Sequence, residues 1–140
     1  MEYIFDSKDK YEGFLDELNQ YCDELRVIED MDIDTIFWNQ MEPYLLGYCW
    51  TRRFPGHGKH ENLKILKYRL TDNVINILKR YKSFLDIGYD YVYDDGIDLA
   101  FYKNDKLIFW VLNHEDMCYL EDFAELHFEK TIEYFGIKSR

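Results

Sequence analysis

The sequence lacks the features by which many chains declare their class. No stretch approaches the roughly 20 apolar residues that a helix needs to cross a bilayer. The first residues, MEYIFDSKDK, hold no basic segment followed by an apolar run, so a secretory signal is not expected. Cysteine is scarce: Cys22, Cys49 and Cys118 are odd in number, far apart and form no CxxC. That argues against a disulfide framework or a zinc site, and a reducing cytoplasm is the expected compartment. There is no internal repeat and no low-complexity linker.

What is present is length, rings and charge. The 140 residues suit one domain, 1–140, large enough to bury a core without disulfides or metal. Aromatic residues make up 19% of the chain, enough to fill a core and still stock a contact surface. The formal charge is −11, unevenly spread. Residues 1–43 hold 13 acids and 3 bases, 44–83 hold 2 and 9, and 84–140 hold 13 and 5. Either the basic middle packs beside the acidic ends, or an acidic surface steers a basic partner.

Local patterns predict the elements. Ser7 caps a helix whose stripe is Tyr11, Phe14, Leu15, Leu18, Cys22 and Leu25, at helical steps of three and four. An acidic connector, 29–34, leads to a short helix capped by Asp34, carrying Ile36, Phe37 and Met41 and ended by Pro43. Residues 45–54 read as a strand and 55–61 as an exposed loop. The segment 62–70 fits strand or helix. The strand is preferred because Thr71 and Asp72 look like a fresh helix start.

The clearest signal is a hairpin over 97–114, turning at Asn104-Asp105. A plain two-residue turn would pair Phe101 with Ile108, Leu99 with Trp110 and Ile97 with Leu112, then Asp95 with His114. A last helix is expected over about 120–135, stopped by Gly136. The predicted fold is α+β: an antiparallel sheet of four or five strands, with the hairpin in the C-terminal half, against about three helices.

No catalytic or metal motif is complete. His114-Glu115 begins HExxH, but the fourth residue on is Cys118, and a strand end would not align the two as metal ligands. A structural His114 is the expectation. Asp90, Asp94, Asp95 and Asp98 surround Gly96 without the spacing of a helical calcium loop. GHGKHE (56–61) lacks the spacing of a phosphate-binding loop. No nucleophile with an oriented base is apparent. No catalytic residue, metal ligand or cofactor is therefore assigned.

Acids recur beside rings at Tyr91, Tyr93, Asp94 and Asp95, and again at Tyr119, Glu121 and Asp122. Acids steer association while rings supply anchors, which makes these seven the candidate partner-binding residues. At the hairpin and the following HEDMCYLEDFAE (114–125), the chain resembles the small immunity proteins of bacterial polymorphic and contact-dependent toxin systems. The resemblance is one of size, acidity and an aromatic hairpin. It implies a cytosolic α+β protein that blocks one cognate toxin, such as a nuclease whose basic site an acidic surface could cover. It carries over no individual residue. The alternative is a nucleic-acid-binding module using the basic segment 50–69, though the overall acidity speaks against nucleic acid. A hydrolase with a dispersed site is the third reading. Oligomeric state is not encoded in any pattern found.

Overall fold

The computed structural model describes residues 1–29, 35–59, 61–89 and 96–140. Helix α1 (Lys8–Tyr21) starts where expected: Ser7 is extended and its hydroxyl accepts the Lys10 N–H at 3.3 Å. Asp9 in the first turn complements the helix dipole. Tyr11, Phe14, Leu15 and Leu18 are buried, and the chain turns extended at Cys22. Leu25 is therefore not part of the helical stripe. It lies in strand β2 (Glu24–Ile28), whose inward residues are Leu25 and Val27. There the two-residue alternation and β-branched side chains outweigh the accidental continuation of the helical spacing.

Helix α2 (Thr35–Met41) buries Phe37 and Met41 but leaves Ile36 exposed. Pro43 sits in the 3-10 turn Glu42–Tyr44 that ends it. The capping role expected of Asp34 lies outside the described residues. Strands β3 (Leu45–Thr51) and β4 (Leu63–Arg69) pair antiparallel, which settles 62–70 as strand. Thr71 then caps α3 (Asp72–Leu78), accepting the Val74 N–H at 3.3 Å.

The hairpin of β5 (Leu99–Lys103) and β6 (Lys106–Leu112) turns at Asn104 (φ 49) and Asp105 (φ 65), left-handed angles that match the twist of the strands. Lys103 faces Lys106 and Tyr102 faces Leu107, as a two-residue turn dictates. The register then shifts: Phe101 faces Phe109, Ala100 faces Trp110 and Leu99 faces Val111. The expected pairs Phe101–Ile108 and Leu99–Trp110 do not form. A β-bulge at Ile108 lets Ile108 and Phe109 both enter the core, and it moves Trp110 to the opposite face, beside Ala100 and Tyr102.

The chain reverses through Asp116 (φ 50) into β7 (Met117–Leu120), a strand the sequence pattern had not revealed. Helix α4 (Glu125–Phe135) starts after the 3-10 turn Asp122–Ala124, later than the expected residue 120, and Gly136 (φ 64) ends it. Short strands β1 (Tyr3–Ile4) and β8 (Lys138–Ser139) form a ribbon beside β7.

The fold is α+β. The described residues form a six-stranded antiparallel sheet, β3-β4-β2-β5-β6-β7, with a two-stranded ribbon and four α-helices. This exceeds the expected four or five strands because β2 and β7 were not anticipated, and the four α-helices exceed the expected three. One face carries the main core. Its rings interlock, Phe14 lying 4.9 Å from Phe109 and 5.0 Å from Phe128 between centroids. Helices α1 and α4 approach closely at Gly13, where a Cβ would stand 2.2 Å from the Phe135 ring. Among the described residues, no helix is long and apolar enough to cross a membrane.

Candidate functional site

Four of the seven predicted contact residues, Tyr91, Tyr93, Asp94 and Asp95, lie outside the described residues, as does the expected Asp95–His114 pair. The other three meet at the start of α4. Tyr119 stacks on Trp110 with centroids 5.0 Å apart. Asp122 is exposed and takes the Met1 ammonium at 3.1 Å. The Asp122 carboxylate, ahead of burial and Glu121, raises the Tyr119 hydroxyl above its ordinary pKa, because a nearby negative charge disfavours phenolate.

From Asp122 the acidic surface continues along α4. Glu125, Glu129 and Glu133 follow at successive four-residue steps, one helical turn apart. With Asp122, Tyr3, Leu126 and Ile132 they line a groove of about 510 Å³. Leu126 and Tyr134 stand 81% and 83% exposed on the same helix. Phe123 is exposed beside it, with the Lys106 ammonium 4.0 Å above its ring. Tyr3 has a raised pKa, from burial first and from Glu125 second. The sequence pattern marks the acids at 121–122 but not this groove, although the four-residue spacing of the three glutamates is visible in it.

The basic segment does not form one continuous stacking surface. Phe54 is buried on the back of the sheet. Lys64 pairs with Glu29 at 2.9 Å and covers the Tyr48 ring at 4.7 Å. Trp50, Arg52 and Arg53 remain exposed at the end of β3.

A second cluster joins residues that the sequence had kept apart. The loop after β3 folds back so that Gly56 presses on Leu112, with no room there for a Cβ. This brings His57 into the structure, its side chain only 14% exposed, rather than leaving it in an exposed loop. His57 Nε2 lies 2.7 Å from Asp98 Oδ2, and His114 Nδ1 lies 3.3 Å from the same oxygen. Asp98 is buried, and its Oδ1 accepts the Asn113 N–H at 2.6 Å. His57, Asp98 and His114 each offer one donor atom, all within 4.8 Å of one another. Cys118, once paired with His114 in the incomplete motif, is instead buried in the main core, where burial raises its thiol pKa. Nothing in the local sequence signals the cluster, since its members come from a loop, a strand start and a turn.

No family model matches the chain, and neither a curated protein nor a solved structure resembles it closely enough to count as a match.

Proposed function

We propose that the chain is a protein-binding inhibitor of the immunity type, which neutralises a protein toxin by covering a basic surface on it. The observation that carries this reading is the α4 groove, where four carboxylates line a concave surface beside exposed apolar side chains. Carboxylates at that density attract a basic segment and set the association rate. Leu126, Phe123 and Tyr134 offer the apolar anchors that hold a complex once formed. Tyr119, Glu121 and Asp122 border this surface, so the acid-and-ring pattern read from the sequence and the groove describe one region. The general resemblance to immunity proteins supplies the class of partner. An acidic groove suits a nuclease target, because a nuclease must hold phosphates with positive charge.

The test is genetic. The reading frame adjacent to this gene should encode a large protein that stops growth when expressed, and co-expression of this chain should restore growth. A variant carrying Glu125→Lys, Glu129→Lys and Glu133→Lys should fold and fail to protect. Equal protection by that variant would remove the groove from the account. Copurifying nucleic acid with no protein partner would favour the basic segment instead.

A further inference from the structure

We propose that His57, Asp98 and His114 form a binding site for a divalent transition metal ion of the zinc class, independent of the α4 groove. Three donors converge from the β3–β4 loop, the residue before β5 and the turn after β6. Two imidazole nitrogens and one carboxylate oxygen form a donor set suited to zinc or its first-row neighbours. They do not suit calcium or magnesium, which take oxygen ligands.

The geometry is close to what an ion requires. Donors held tetrahedrally at about 2.0–2.1 Å from zinc stand roughly 3.3 Å apart. The Asp98–His114 edge is already 3.3 Å, and the His57–Asp98 edge is 2.7 Å, a direct hydrogen bond. The third edge, between the two imidazoles, lies within 4.8 Å, so closing on an ion asks His57 to move away from Asp98 while the imidazoles converge on the same point. Asp98 is oriented for this role. The Asn113 N–H holds Oδ1, and Oδ2 is left facing both imidazoles. Asn113 is itself anchored through its side-chain N–H to the Leu85 carbonyl at 2.8 Å.

Each imidazole also has a carboxylate near its other nitrogen. Glu61 Oε2 stands 3.8 Å from His57 Nδ1, and Glu115 Oε1 stands 3.9 Å from His114 Nε2. Small rotations would give the carboxylate–histidine pairing that orients ligands and raises their basicity. The His114 side chain is 49% exposed, so an ion could enter from that side and keep water in its remaining position. Three protein ligands and an open position resemble catalytic zinc sites in ligand count. The immediate structural consequence is a staple between the β3–β4 loop and the β5–β6 hairpin.

The probe is the metal alone. Chelator-treated full-length protein would be titrated with Co²⁺, then with Zn²⁺. The expected result is one equivalent of Co²⁺ with visible ligand-field bands, displaced by Zn²⁺, together with a zinc-dependent rise in melting temperature. His114→Ala, at a half-exposed position that should tolerate truncation, should lower affinity at least tenfold and abolish the rise. His57→Ala should do the same. His127→Ala, which removes a histidine paired with Glu17 elsewhere, and Cys49→Ser should leave both readouts unchanged. Failure of the wild type to bind would overturn the proposal. So would binding that survives His114→Ala, or binding lost in the His127 or Cys49 control.

Discussion

The two faces of the sheet are built by different means. On one, residues of all four helices join the strands in a single apolar cluster. Phe14, Phe84, Phe109 and Phe128 are completely buried there and touch edge to face or in tilted stacks. On the other, the fully covered set is small: Phe54, Ile65, Ala100 and Tyr102, bordered by half-buried Trp110, Leu107 and Cys49. Charge takes over where apolar cover ends. Arg26 lies 3.8 Å over the Tyr102 ring and pairs with Glu24 and Asp105, while Asp98 gathers its two histidines. The first face supplies most of the apolar burial that opposes chain entropy. The second is thinly covered and retains polar groups with chemistry to offer.

The largest expected effect tests the first face. Phe14→Ala should destabilise the fold by about 3–5 kcal/mol, the usual range for a buried ring whose neighbours cannot collapse into the cavity. Denaturant unfolding checks it, and a loss under about 1 kcal/mol would mean the ring cluster is not the main support. Trp110→Ala sharpens the contrast. With Trp110 on the thin face and stacked on Tyr119, the cost should be about 1–2 kcal/mol. A loss as large as that of Phe14→Ala would restore the register without a bulge, in which Trp110 sits opposite Leu99.

The same contrast shows what the sequence made legible. Ser7, Thr71, Gly136 and the Asn104-Asp105 turn were all correctly read, because each acts through its own backbone and nearest neighbours. Strand β2 was missed in part because Leu25 falls in step with the stripe of α1. Strand β7 was missed because four residues are too few to show a period. The bulge was invisible because Ile108 and Phe109 are both apolar, so either register looked satisfied. The acidic border of α4 was legible at Glu121 and Asp122. The His57–Asp98–His114 cluster was not, since it depends on how a loop folds over a strand 41 residues away.

Thiol chemistry extends the comparison. Cys22 and Cys118 are buried in the main core, and burial pushes the Cys22 thiol up to about 12. Cys49 is half-buried on the second face. A thiol reagent at neutral pH should label Cys49 quickly and the other two only on unfolding, because thiolate is the reactive form. Mass spectrometry of the partly labelled protein identifies the site. Fast labelling of Cys22 would contradict the packing at the end of α1.

The smallest effect concerns acid. Hydrogen bonding and attraction from Arg26 hold the Asp105 carboxyl below its ordinary value of 3.8. A lowered folded-state value means the pair adds stability above 3.8 and loses it as pH falls through the folded value. Asp105→Asn should therefore lower neutral stability slightly and flatten the acid profile of unfolding by the same small amount, as expected for an exposed pair. Identical acid profiles for the two proteins would show that Arg26 gains nothing from Asp105.

The proposed function places the partner on the α4 groove. Its most direct test is amide hydrogen exchange on the chain, alone and bound to the protein that the genetic test identifies. Exchange over residues 121–134 should slow on binding, with β3 unchanged. Protection confined to β3 and the β3–β4 loop, with α4 exchanging as in the free protein, would contradict it.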